Sequence, residues 1–291
     1  MSAIQDILAA TDFTGSGSKA VHRAARLAME QRARLELLHI VHSPALESLR
    51  PLFPSPTDVE KRILQDARTQ LEKLATAVAA ETGVRPGTGV HLGHVVDGIL
   101  AGSEAADLLV VGARGANPVR DLLIGSTAER LLRKSQQPVL TVNREPAHAY
   151  RRVLVPMDFT PVSGPLLRMA MQLAPEARIT AFHAFDIPFE AKLWLTGVPE
   201  DRIQDYRDKA RQFSIDALHA LIGDAGADAG RCEAVAELGE AAPLILDQAA
   251  AIGADLIVMG KRDQTLAEEL LLGSVARRVL ASSDCDVLVL T

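Results

Sequence analysis

The chain repeats itself. Shifted by 144 to 148 residues, four of its segments fall on four others in the same order. Ile7-Leu8-Ala9-Ala10-Thr11-Asp12-Phe13 meets Val153-Leu154-Val155-Pro156-Met157-Asp158-Phe159, and Arg34-Leu35-Glu36-Leu37-Leu38-His39 meets Arg178-Ile179-Thr180-Ala181-Phe182-His183. Ala106-Asp107-Leu108-Leu109-Val110-Val111-Gly112 meets Ala254-Asp255-Leu256-Ile257-Val258-Met259-Gly260, and Gly125-Ser126-Thr127-Ala128 meets Gly273-Ser274-Val275-Ala276. A chain that carries one series of segments twice is a duplicated domain rather than a single continuous core. Its 291 residues, 48% of them apolar, suffice for two domains of ordinary size. Domains are expected over 1–143 and 151–291, with a linker near 144–149.

Within each half, short runs rich in β-formers alternate with longer helical patterns, the mark of a parallel sheet covered by helices. Strands are expected near 5–11, 35–41, 89–92, 107–111 and 138–142, with helices near 17–32, 57–81, 96–105 and 126–135. The second half repeats the order, with strands near 152–157, 178–184, 232–236, 255–259 and 286–290. Apolar residues at Val59, Ile63, Ala67, Leu71, Leu74 and Val78 form a helical stripe suited to covering that sheet.

The residues that point to chemistry are Gly112-Ala113-Arg114-Gly115, then nine residues, then Gly125-Ser126-Thr127. They follow an apolar strand and precede an amphipathic helix. Glycine lets the backbone come close to a ligand, and the free N–H groups at a helix start attract anions, so the frame suits a phosphate chain. A Walker loop is absent. Gly15-Ser16-Gly17-Ser18-Lys19-Ala20 formally fits a dinucleotide fingerprint, but His39-Ile40-Val41-His42 stands where that motif needs an acid, so it reads as a loop and helix cap.

These residues resemble the universal stress protein family in tandem form, and the resemblance covers essentially the whole chain. The family pattern of Gly, two residues, Gly, nine residues, then Gly with Ser or Thr, after a first strand ending in Asp, is met at Asp12, Gly112, Gly115, Gly125 and Ser126. The resemblance implies an α/β fold of two tandem Rossmann-like domains, each a five-stranded parallel sheet in the order 3-2-1-4-5. It also implies ATP, with or without Mg2+, as ligand, although some members carry no nucleotide. By position, Asp12 would meet the adenosine part, and Ala10 and Ile40 would line the base pocket beside Thr11 and Val111. Gly112 and Gly115 would pass close to the ribose and phosphates, and Gly125, Ser126 and Thr127 would offer N–H and hydroxyl groups to the phosphates. Arg114 and Arg120 would add charge-assisted contacts. In a sheet of that order the ligand crevice opens beyond strands one and four, where the order reverses, which is where Asp12 and Gly112 fall.

The second half departs from the pattern. Asp263 replaces the second glycine, while Gly260, Gly273 and Ser274 are retained. A carboxylate about 4 Å from a phosphate charge costs on the order of 4 kcal/mol at an effective dielectric near 20. A second site at Pro156, Asp158, Gly260, Gly273 and Ser274 is therefore the lesser expectation. Lys261 and Arg262 would either offset Asp263 or pair with it and fill the site. Ala10 stands where the second half has Pro156, which bears on pocket shape.

Other chemistries find less support. A net charge of −6 and 3% aromatic residues disfavour nucleic acid, and no apolar run is long enough to cross a membrane. The start of the chain shows no leader pattern, so a cytoplasmic protein is expected. Cys232 and Cys285 read as free thiols. His39 and His183 are equivalent across the repeat, which favours a structural role, and His91 with His94 lacks further metal ligands. No nucleophile with a base in reach can be named, so slow ATP hydrolysis is the most that is expected. Three readings stay open: a nucleotide-regulated stress protein, a nucleotide hydrolase or nucleotidyl transferase, and a nucleotide-free scaffold or binder of another small ligand. The fifth strands, Pro138–Val142 and Asp286–Leu290, would be bare edges, and pairing them within one chain would hide both; a homodimer is the other assembly.

Overall fold

The structure, a computed structural model, describes residues 3–43, 56–113, 125–187, 194–228, 230–261 and 272–290. It divides into two compact units. One gathers Ser2–Ala149 with the carboxyl-terminal Asp284–Thr291, and the other holds most of the residues between. Among the described residues no helix is long and apolar enough to cross a membrane.

In the first unit the elements run β1 (Asp6–Ala10), α1 (Gly15–Gln31), β2 (Arg34–His42), α2 (Pro56–Thr82), β3 (Gly87–Gly93), α3 (Val95–Ser103), β4 (Leu108–Gly112), α4 (Ser126–Lys134) and β5 (Val139–Val142). The strands lie parallel in the order β3-β2-β1-β4-β5, as the resemblance implied. Asp107 pins the start of β1 by accepting from the N–H groups of Gln5 (2.7 Å) and Asp6 (3.0 Å). Leu108, Leu109 and Val110 on the central β4 are fully buried, the continuous apolar run of a strand covered on both faces. Helix α1 packs with α2 and α3 with α4. Right-handed crossovers on this strand order put the two pairs on opposite faces of the sheet. Along α2 the buried positions are Ala67, Leu71, Ala75 and Val78, spaced at one turn, so the expected stripe meets the core with Ala75 in place of Leu74.

The same unit holds the chain's last strand, β10 (Asp286–Leu290), antiparallel to β5 with Val287 opposite Thr141 and Val289 opposite Val139. Thr141 Oγ1 donates to Val287 O at 3.0 Å, an added bond across that pair. The edge that β5 would otherwise present is thereby covered.

The second unit follows with β6 (Arg152–Pro156), α5 (Ser163–Leu173), β7 (Arg178–Phe185), α6 (Glu200–Asp224), β8 (Cys232–Leu238), α7 (Ala241–Ile252), β9 (Leu256–Gly260) and α8 (Ser274–Ser282). Its strands run parallel in the order β8-β7-β6-β9. Asp255 repeats the part of Asp107, taking the N–H groups of Arg151 (2.9 Å) and Arg152 (3.1 Å). Cys232 and Cys285 are both buried thiols, not joined in a disulfide.

Two of the boundaries that differ from the sequence reading lie beside the crevice. Strand β1 stops at Ala10 rather than reaching Asp12, because Thr11 Oγ1 accepts from the Phe13 N–H (3.1 Å) and turns the chain out of the sheet. Helix α1 begins at Gly15 rather than at 17, since Thr14 caps it through its bond from the Gly17 N–H at 3.2 Å. The dinucleotide-like glycines are thus the first turn of α1.

Candidate functional site

Three elements meet where the strand order reverses: the β1–α1 turn, the end of β4, and the start of α4. In the turn, Asp12 is exposed and its Oδ1 accepts from the Thr14 N–H (3.0 Å) and the Thr14 hydroxyl (2.5 Å). This Asx turn fixes the carboxylate and orients Thr14, which caps α1. It leaves Asp12 Oδ2 without a partner among the described residues. Ala10, Thr11, Ile40 and Val111 are buried around it at 4 to 7% exposure. Ile40 is held by α3, where a Cβ on Gly98 would come within 2.9 Å of its Cδ1.

Gly112 owes its identity first to packing. A Cβ there would lie 2.5 Å from Ser16 Oγ and 2.8 Å from the Ser16 carbonyl, so only glycine lets the end of β4 touch the first turn of α1. Gly17 is constrained in the same way, since its Cβ would fall 2.7 Å from Asp12 Oδ1 and 2.8 Å from Thr11 Oγ1. The sequence reading passed over Gly17 as part of a decoy motif. Thr11, Asp12, Ser16, Gly17 and Gly112 thus form one tight group at the mouth of the crevice.

Arg114, Gly115 and Arg120 lie outside the described residues. The ends of their loop are tied together, because the Gly125 N–H donates to Ala113 O at 2.9 Å. Gly125 then starts α4 with no side chain capping it, and Ser126 and Thr127 are exposed in its first turn. The amino end of α4 therefore stands at the end of β4 with N–H groups that the helix itself does not use.

The second unit copies this frame with changes around its aspartate and its strand ends. Gly273 N–H donates to Lys261 O at 2.9 Å, and Gly273 starts α8 without a side-chain cap. Asp158 Oδ1 accepts from the Thr160 N–H (3.1 Å) and Thr160 hydroxyl (2.6 Å). Buried Ser163 stands where the first unit has Gly17, and its hydroxyl also donates to Asp158 Oδ1 at 3.3 Å. Asp158 is half-buried where Asp12 is exposed. Pro156 is half-buried at the end of β6, and Gly260 is open, its nearest neighbour Val162 Cγ1 at 3.8 Å from a built Cβ. Asp263 and Arg262 lie outside the described residues.

One feature of both turns had no signal in composition or spacing. Phe13 and Phe159 adopt left-handed φ of 63° and 59°, which costs a bulky residue about 1–2 kcal/mol. Each ring lies 4.3 Å, centroid to centroid, from a histidine of the neighbouring strand: Phe13 from His39, and Phe159 from His183. Phe13 also packs against the buried cluster of Val41 and Ala67, and the apolar contact offsets the strain.

Among the described residues no group of three or more His, Cys, Asp or Glu side chains converges as a metal site. A divalent cation arriving with a nucleotide would be held by phosphate oxygens and water.

Comparison with known proteins agrees with this architecture. The model of the universal stress protein family matches residues 3–143 and again 149–291. A universal stress protein of Mycolicibacterium smegmatis is 26% identical over 301 aligned residues, covering 97% of this chain and 96% of its own. The universal stress protein YxiE of Bacillus subtilis is 30% identical over 145 residues, covering 48% of this chain and 98% of its own. The crystal structure of a universal stress protein from Archaeoglobus fulgidus superposes with a TM-score of 0.70 at 20% identity, covering 98% of both chains. The chain belongs to the universal stress protein family, as a tandem member with two family domains.

Proposed function

We propose that this chain is an ATP-binding stress-response protein of the cytoplasm, in which nucleotide in the first domain acts as a regulatory or conformational ligand. The observation that carries this reading is the convergence of an uncapped helix start at Gly125-Ser126-Thr127 with an outward-facing Asp12 carboxylate across the Ala113–Gly125 tie. Phosphates suit the free N–H groups of α4, and the second carboxylate oxygen of Asp12 suits a ribose hydroxyl. Ala10, Ile40 and Val111 supply the apolar wall for a base. Arg114 and Gly115 belong to the same site on this reading, and Mg2+ accompanies the phosphates. On this reading the two domains span 1–143 and 151–291, and the first of them holds the nucleotide. Their pairing through the fifth strands is supported by the antiparallel register of β10 on β5. Hydrolysis is at most slow, because no base beside an activated nucleophile is found in the described site.

A different reading suits the second domain, which we take to be a nucleotide-free structural copy. Asp158 receives the Ser163 hydroxyl in addition to its own Asx turn, so its carboxylate is more fully engaged with the protein. Both readings are tested by acid-denaturing freshly purified protein and quantifying the released nucleotide. About one ATP or ADP per chain supports them together. About two shows that the second domain binds as well. None, together with a flat calorimetric titration with Mg-ATP, rejects the nucleotide and leaves a scaffold.

A further inference from the structure

We infer that His39 and His183 are positioning residues: each clamps the chain on both sides of the aspartate at the mouth of its crevice, and in the first domain the clamp aims that carboxylate at the ligand. His39 Nδ1 lies 2.8 Å from Thr11 O, and its ring lies 4.3 Å from the ring of Phe13. Residue 11 precedes Asp12 and residue 13 follows it. His183 repeats both grips, with Nδ1 2.7 Å from Met157 O and its ring 4.3 Å from Phe159 around Asp158. A carbonyl oxygen only accepts, so Nδ1 carries the proton in both rings, which fixes the imidazole in one tautomer or as the cation.

The clamp has a mechanical purpose. The chain has only residues 11 to 14 in which to leave β1 and start α1, and it makes the turn by putting Phe13 at φ 63°. Such a conformation persists only where its surroundings over-determine it. Released from His39, Phe13 relaxes toward negative φ, the Asx turn from Asp12 to Thr14 opens, and the carboxylate loses its direction. Thr11 is further tied to β2 through its N–H to Leu38 O at 3.0 Å, so both the turn and the histidine hang from one strand. The same device stands in the second unit although Asp263 has replaced the loop glycine there. Its retention around Asp158 fits a part in shaping the turn itself rather than in touching phosphate.

The consequence for ligand affinity rests on the nucleotide reading above, so the test separates the two. Calorimetric titration of the full chain with Mg-ATP is run on the wild type, His39→Ala, His39→Asn and His39→Phe. Asparagine keeps a donor near the position of Nδ1, whereas phenylalanine keeps the ring without the donor. His39→Ala is expected to weaken binding about tenfold, the equivalent of one lost hydrogen bond, and His39→Asn to return within about threefold of wild type. Unchanged affinity in His39→Ala overturns the proposal, and so does equal loss in the alanine and asparagine variants. In ligand-free protein, NMR follows the exchange of the Thr14 amide and the one-bond Cα–Hα coupling of Phe13, which separates positive from negative φ. Loss of Thr14 protection and of positive φ in His39→Ala supports the clamp, and their persistence overturns it. A wild type that ignores Mg-ATP defeats the nucleotide reading, and the ligand-free measurement then decides the clamp alone. Should His39→Ala not fold, His39→Phe removes the grip on Thr11 and His39→Asn the grip on Phe13, and both are measured in the same two ways.

Discussion

Arg23 on α1 and Asp286 at the start of β10 form a buried ion pair, Nε to Oδ2 at 3.1 Å, with side chains 4% and 0% exposed. The other carboxylate oxygen accepts from the N–H groups of Asn143 (2.8 Å) and Arg144 (3.1 Å), while Arg23 Nη1 donates to His148 O at 2.9 Å. In the repeat the counterparts of Arg23 and Asp286 are Met169 and Pro138, so the pair has no mirror image. It marks one strand and one register for β10 on β5, a use of buried charge in which specificity outweighs net stabilisation.

Removing one partner breaks a buried ion pair. Arg23→Met is therefore expected to cost about 3–5 kcal/mol. Asn143 and Arg144 still donate to Asp286, which places the cost toward the lower end. Urea unfolding measures it, and a midpoint shift no larger than that of an exposed control such as Arg130→Met counts against the assignment.

Gly112 and Gly260 occupy equivalent positions in the repeat with unequal surroundings. Gly112→Ala forces a Cβ into Ser16, whose backbone cannot yield without moving the first turn of α1, and is expected to destabilise by about 1–3 kcal/mol. Gly260→Ala has room and is expected to be neutral, or stabilising by about 0.4–1 kcal/mol through the unfolded chain. Equal effects in the two variants would show that the close approach at Ser16 is not what keeps Gly112 a glycine. Because Gly112→Ala perturbs the fold, its loss of nucleotide binding alone would say nothing about contact with a ligand.

The strands and helices were legible because they follow from patterns with a period, whereas the strand order, and with it the place of the crevice, came from the family resemblance. Leu108 to Val111 reads as a buried strand, the glycines punctuate it, and the repeat confirms each element by showing it twice. The start of α1 was misjudged by two residues because Gly15 and Gly17 lower helix propensity. The packing of Gly17 against Asp12 and Thr11 is a tertiary demand that propensity does not register. The left-handed Phe13 was invisible for a related reason: aromatic residues disfavour that conformation, and only the Phe13–His39 contact reveals what holds it. The equivalence of His39 and His183 was the one available signal. It pointed to structure without saying which atoms were gripped.

Burial raises the Glu30 carboxyl above its ordinary range, against the opposing pull of Arg26 and Arg23. The folded chain therefore holds that proton to a higher pH than the unfolded chain does. Across this window the native state binds more protons, so stability falls as pH rises through it, and above it the full cost of the buried charge is present. Glu30→Gln is expected to raise Tm at neutral pH, with the advantage fading as pH is lowered through the carboxylate range. An advantage that stayed constant with pH would locate the effect outside the titration of Glu30.

The two crevices differ most sharply at Gly17 and Ser163, and exchanging these residues tests whether that difference sets which domain takes nucleotide. Gly17→Ser places a Cβ 2.7 Å from Asp12 Oδ1 as built, so the carboxylate must turn, and the new hydroxyl can then donate to it as Ser163 does to Asp158. Asp12 would move toward the engaged state of Asp158, and the first domain is expected to bind Mg-ATP about tenfold more weakly, the worth of one hydrogen bond withdrawn from the ligand. Ser163→Gly frees Asp158 of that donor. It is not expected to create a second binding event, because the loop that carries Asp263 is unchanged and a carboxylate near phosphate still repels it. Calorimetric stoichiometry with both variants separates the two requirements. Unaltered affinity in Gly17→Ser would remove the engagement of the aspartate as the cause, and a second bound nucleotide in Ser163→Gly would make that engagement, rather than Asp263, the barrier in the second domain.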